Sequence, residues 1–206
     1  MGLISGLIPQ QNFEVIGQSI ATILSAELAN QGLLSSPQTV YAQSVGYERF
    51  IPIDQTEYPF VNVVYSRSDY DNKDQTHVDG YNKYWIVAYA WAKTDGTEMG
   101  DKRATLKLKR ILGLCRAILE NPIYKTLGFT VPNAAVSFVN TKVGSIIVPK
   151  IDDSGNLLNS TMGYLEYFVK ATETNILLDT VLAGQSDTTV KLYDTDEGFY
   201  YKYIAP

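Results

Sequence analysis

The sequence predicts an α+β fold: a mostly antiparallel β-sheet packed by two main amphipathic helices, about residues 12–31 and 99–121, with a C-terminal β-hairpin extension. Three observations carry that expectation. In Tyr81–Ala92, Tyr84, Ile86, Ala88 and Ala90 alternate with Trp85, Val87, Tyr89 and Trp91, the period of two of a strand, in residue types that favour pleated surfaces. Phe13, Ile16, Ile20, Ile23, Leu24 and Leu28 recur at three- and four-residue spacing, as do Ala104, Leu108, Ile111, Leu112, Cys115, Ile118 and Leu119. Finally, Thr188–Tyr193 and Phe199–Ile204 flank the turn-forming Asp194–Gly198.

In chain order, residues 1–11 are an apolar, glycine-bearing arm. Asn12 is placed to cap the first helix, with Gly32 as the residue beyond its C-terminus. Thr39–Phe50 reads as a strand, or as two short ones broken at Gly46, and Pro52 and Pro59 bracket a loop that delivers the chain into Phe60–Tyr65. Ser66–Gly80 is a polar loop of fifteen residues, longer than a plain turn requires. The strand after it is apolar on both faces, which predicts a central position with a helix or a partner on each side. Pro122 ends the second helix, because a residue before proline is pushed out of the α region. Ala134–Val139 and Val143–Val148 read as two strands, and Gly163–Thr174 as another long one. The division is therefore 1–11 arm, 12–175 domain and 176–206 extension.

A chain of 206 residues with 45% hydrophobic and 19% charged residues has the apolar content for one sizeable core. Fifteen tyrosines suit protein interfaces, where an apolar body with a polar tip is useful. A net charge of −5 argues against general nucleic-acid affinity. The single cysteine, Cys115, permits no internal disulfide and suits a reducing compartment. No apolar run of about 18 residues predicts a membrane span. The opening MGLISGLIPQQ lacks the basic region of a signal peptide, and Gly6 stands where a myristoylation signal has Ser or Thr.

Catalytic chemistry finds little material. The one histidine, His77, lies in the polar segment, and Cys115 falls on the apolar stripe of the second helix, where an inert buried thiol is the expectation. Gly96 and Gly100 match no phosphate-binding pattern. Asp69, Asp71, Asp74 and Asp79 offer oxygen ligands for Ca²⁺, but Lys73 interrupts them and no glutamate closes the set, so a solvated acidic segment is favoured. The charge feature above background is one helical face carrying Lys102, Arg103, Lys107, Lys109, Arg110 and Arg116, six of the 17 basic residues of an acidic chain. A solvated face is the commoner meaning of such a pattern. The alternatives are an acidic neighbour in an assembly, for which the acidic C-terminal third is complementary, or DNA passing without tight binding.

The order of elements resembles the tail terminator and tail-completion (neck) proteins of long-tailed bacteriophages, the lambda-type terminator among them. The segments that carry it are EYPFVNVVYSR, YWIVAYAWAK, GDKRATLKLKRILGLCRAIL, NPIYKTLGF, DDSGN and GYLEYFVKATE, within residues 12–175. The resemblance implies a virion structural protein, assembled in the host bacterial cytoplasm, that forms a ring, commonly a hexamer. Such a ring caps the tail tube, stops its polymerisation and docks the tail to the head connector, with DNA passing through the lumen. It implies no catalytic residue and no cofactor. On that reading the interface candidates are Asp69, Tyr70, Asp71, Lys73, Asp74 and His77 in the polar segment, Lys102, Arg103, Lys107 and Arg110 on the helix, and Tyr193, Phe199, Tyr200 and Tyr201 in the extension. The extension departs from the family pattern. A head-completion or connector protein, or a tail tube subunit, is the alternative, and a small-molecule or Ca²⁺-binding module is the reading of a different class.

Overall fold

The structure, a computed structural model, describes residues 10–49, 57–72, 77–94, 99–129, 137–144, 150–151, 157–158, 160–174, 185–190 and 199–204. The chain forms two units: Gln10–Thr174, and Met1–Pro9 together with Asn175–Pro206. The first unit is an α+β fold. Its elements are α1 (Asn12–Leu34), β1 (Ser44–Tyr47), β2 (Phe60–Asn72), β3 (His77–Trp91), α2 (Gly100–Leu119), β4 (Ser137–Gly144), the two-residue strands β5 (Lys150–Ile151) and β6 (Leu157–Leu158), and β7 (Ser160–Thr174). In the second unit β8 (Gln185–Val190) pairs antiparallel with β9 (Phe199–Ile204), from Gln185 opposite Ile204 to Val190 opposite Phe199.

The main sheet has the order β1-β2-β3-β7-β4, with β1 parallel to β2 and every other pair antiparallel. β3 is central, as its two apolar faces predict, and it pairs with β7 in unbroken register from His77 opposite Thr174 to Trp91 opposite Ser160. Both helices lie on one face of this sheet. The Tyr84 hydroxyl donates to the Phe13 carbonyl of α1 at 2.9 Å, and Gly163 of β7 lies directly beneath Leu108 and Leu112 of α2. Ile16, Ile20, Leu24 and Leu28 from α1 and Leu108, Ile111, Cys115 and Leu119 from α2 meet Val61, Val63, Ile86, Ala88, Leu165, Tyr167 and Val169 in one core. The predicted stripes are therefore the buried faces. Removing this apolar surface from water supplies about 25 cal/mol per Å² and dominates the fold's stability.

Several expectations are corrected. Gln11, not Asn12, caps α1, and the Glu14 carboxylate accepts from the Gln11 backbone N–H at 2.5 Å. The helix runs through Gly32 to Leu34. Gly32 serves a close approach, since a Cβ there would sit 2.6 Å from the Thr39 carbonyl oxygen. β1 passes straight through Gly46, and residues 39–43 are not strand. Where two strands are expected, at 134–139 and 143–148, the described residues Ser137–Gly144 form one continuous strand, β4, with an irregularity between Phe138 and Asn140; residues 134–136 and 145–148 lie outside the described residues.

The largest correction concerns Ser66–Gly80. It is not a long loop: β2 continues to Asn72 and β3 begins at His77, so most of the segment is a hairpin whose register shifts once, between Tyr65 and Arg67. The apolar alternation stops where the strands leave the helix-covered core, but the backbone ladder goes on. A helix or partner is expected on each side of β3; both described helices share one face, so neither covers the other.

Candidate functional site

Three regions of the first unit carry exposed or unusual chemistry. The first is the outer face of α2. Lys102, Lys107, Lys109, Arg110 and Arg116 are exposed and Arg103 is half-buried, opposite the buried stripe, as the spacing predicts. Arg116 pairs with Glu120 one turn on, at 2.9 Å. Among the described residues Lys107, Lys109 and Arg110 have no carboxylate within ion-pair distance. Lys107 and Arg110 instead border a groove of about 540 Å³ between α2 and the segment leading to β1. The Arg110 guanidinium lies 5.9 Å from the centre of the Tyr41 ring, a cation–π arrangement. Pro59, Leu106 and Ile111 complete its apolar walls, and Val40 and Leu106, 58% and 53% exposed, stand at its rim.

One wall of this groove is set locally. Gly32 lets the Thr39 backbone pass against α1. The Ser35 hydroxyl accepts from the Thr39 N–H at 2.8 Å and lies within donating distance of the Gly32 and Pro37 carbonyls, at 2.7 and 3.1 Å. A short polar side chain that bonds its own backbone turns the chain sharply after the helix. The groove was not legible in the sequence, because residues 38–41 and 106–111 meet only in the fold.

The second region is the β2–β3 hairpin. Asp69 is exposed and pairs with Arg67 at 3.1 Å. Tyr70 lays its ring over Gly80, where any Cβ would collide with it, and its hydroxyl donates to Asn82 Oδ1 at 3.4 Å. Asn82 is fully buried, Ser68 bonds the same oxygen, and the Tyr65 and Ser68 hydroxyls are 2.8 Å apart. Asp71 lies opposite Asp79 in the register, and His77 lies opposite Thr174. Lys73 and Asp74 fall outside the described residues. No group of three or more His, Cys, Asp or Glu side chains among the described residues is arranged to hold a metal ion.

The third region is the sheet face away from the helices. Trp85 and Tyr164 approach with ring centroids 6.0 Å apart. Lys83 bonds Glu166 at 2.6 Å and lies over the rings of Trp85 and Phe168, at 5.7 and 5.5 Å. Both charged side chains are mostly sheltered, at 15% and 19% exposure. At the β1 end Phe60 and Asn62 are buried on this same face. The Asn62 side chain donates to the Arg49 carbonyl at 2.8 Å and accepts from the Arg49 N–H at 3.3 Å, while Arg49 clamps Glu57 at 2.8 and 3.1 Å. Sequence reasoning missed this buried asparagine. Its signal was a lone polar residue inside the apolar run FVNVV.

Cys115 is buried in the core, and burial pushes its thiol up to about 12, which removes it as a nucleophile near neutral pH. Phe199, Tyr200 and Tyr201 occupy β9, opposite Val190, Thr189 and Thr188, and Tyr193 lies outside the described residues. Candidates on the hairpin, on α2 and in β9 thus belong to separate parts of the fold, and among the described residues Lys107 and Arg110 border one cavity together. Among the described residues no helix is long and apolar enough to cross a membrane. The chain matches no protein family and no curated protein.

Proposed function

We propose that this chain is a virion structural subunit of a long-tailed bacteriophage, a ring-forming tail terminator that caps the tail tube and docks it to the head connector. The observation that carries the proposal is that both described helices lie on one face of the sheet. The opposite face presents Trp85, Val87, Tyr89, Trp91 and Tyr164 half-buried or exposed, and the β2–β3 hairpin continues beyond the apolar alternation. A subunit with this much aromatic surface outside its own core is suited to burying it against copies or neighbours, where tyrosine and tryptophan give the largest contact at low entropic cost. The resemblance in element order supports the same reading. Capping then follows from polarity: one ring face matches the last tube ring, and the other offers nothing on which a further tube ring can build.

The subunit would work in the phage neck after assembly in the bacterial cytoplasm, commonly as a hexamer, with DNA passing through the lumen without specific binding. Electron micrographs of the purified protein, alone and mixed with tail tubes, provide the test. Closed rings that sit at tube ends and limit tube length are the expected result. A protein that stays monomeric across a wide concentration range and leaves tubes bare and growing sinks the proposal. Open filaments would instead indicate a tail tube subunit, and rings that bind heads but not tubes a head-completion protein.

A further inference from the structure

The groove beside α2 combines two features that are rarely neighbours in an acidic chain. It has an apolar floor and rim, made by Tyr41, Leu106 and Ile111, and two cations, Lys107 and Arg110, that have no carboxylate partner among the described residues. Its volume of about 540 Å³ is within the range of clefts that take ligands, roughly 300–1,000 Å³. A partner that suits it carries carboxylates beside an aromatic side chain. The chain contains such a segment itself. Tyr193–Gly198 reads YDTDEG, with three carboxylates in four residues. The register of β8 and β9 pairs Val190 with Phe199, so this segment lies within the eight residues connecting the two strands of that hairpin.

We propose that the groove is a docking site for the Tyr193–Gly198 segment of a second copy of this chain. The carboxylates of Asp194, Asp196 and Glu197 meet Lys107 and Arg110, and the Tyr193 ring enters the apolar part beside Leu106. Charge complementarity selects the partner and orients it, while the apolar wall keeps water from the ion pairs. Because donor segment and receiving groove are different surfaces of the same chain, the contact is head-to-tail, the kind that generates a closed ring when the rotation per subunit is right. The inference rests on the self-associating subunit proposed above and names the contact that would build it.

Cross-linking of the full-length chain tests it, since Cys115 is buried and leaves a quiet background. Leu106→Cys and Thr195→Cys are made in separate chains and treated with a short bis-maleimide. A covalent dimer should form when the two variants are mixed and not within either alone. Adding Lys107→Glu and Arg110→Glu, both at exposed positions, should cut its yield about tenfold, equivalent to one decade in affinity. Charge reversal on the donor, Asp194→Lys with Asp196→Lys, should restore much of that loss, and rising salt should lower the yield of the unreversed pair. Absence of the mixed dimer overturns the proposal. So does a link that forms only within one chain carrying both cysteines, or a yield indifferent to charge reversal while thermal melts show intact folding. Added duplex DNA that protects Leu106→Cys from the reagent also overturns it, because the groove would then be a polyanion site. Rings that form although the mixed pair gives no cross-link sink this contact alone, whereas cross-linked chains that neither close nor cap tubes sink the terminator reading alone.

Discussion

The two faces of the main sheet are built by opposite rules. Beneath the helices, successive outward-pointing positions of β3 and β7 are small or sealed: Ala88, Ala90, Gly163 and Ala171 let α2 settle close to the strands, with Ile86 and Leu165 filling the gaps. On the other face the same strands carry Trp85, Tyr89, Trp91, Tyr164 and Phe168, large rings that shelter one another and the Lys83–Glu166 pair. One face is closed by α1 and α2. The other, among the described residues, carries large rings and no helix. The difference teaches that apolar alternation identifies which residues share a face, but not which face the helices take.

The comparison can be broken by mutation. Leu165→Ala, at a fully buried site, should cost about 2–5 kcal/mol in urea unfolding, as cavities in tight cores do. Trp85→Ala, at a site 41% exposed, should cost about 1 kcal/mol in the same assay at low protein concentration. Equal losses would mean that the second face is as sealed as the first. Gly163→Val should cost about 1–3 kcal/mol, because even its first added carbon meets Leu108 and Leu112 at 3.1 Å.

A separate effect is an alkaline weakening. Burial raises the Tyr84 and Tyr167 phenols, and it pushes the Cys115 thiol up to about 12. The unfolded chain releases these protons first, near the ordinary values of 10.0 for tyrosine and 9.0 for cysteine. Their contribution to stability is complete below those values and is lost as pH rises above them, by about 1.4 kcal/mol per pH unit for each group. Urea midpoints measured from pH 8 to 11 should show this fall, and Tyr167→Phe should make it shallower by one group. The smallest effect is a gain. Gly113→Ala, on the exposed side of α2 with nothing within 4 Å of the new carbon, should stabilise by up to about 1 kcal/mol in the same unfolding assay.

Much of this architecture was legible because helices and core strands are read from apolar periodicity. The stripes of α1 and α2, the two faces of β3 and the exposed basic residues of α2 all follow from spacing alone. Where the pattern failed, backbone hydrogen bonds or backbone proximity had taken over from apolar burial. Ser66–Asp71 is polar yet lies in β2, because an antiparallel ladder needs a paired neighbour more than an apolar side chain. Gly32 resembled a helix terminus but is a clearance for the Thr39 backbone. Asn62 resembled a flaw in a core strand but satisfies both polar groups of the Arg49 backbone. The groove was illegible for a different reason, since its two walls are over sixty residues apart in the chain.

The unbroken pairing of β3 with β7, His77 opposite Thr174 through Trp91 opposite Ser160, has a mechanical consequence. Tension applied along the strands loads every rung of that ladder side by side, so the bonds must fail together rather than one after another. Resistance to forced unfolding is governed by the unfolding rate and not by the equilibrium free energy. A fold of modest thermodynamic stability can therefore hold firm while a load passes along its longest strands, and an optical-tweezers pull directed along β3 should find it far stiffer than one that peels β4 from its edge.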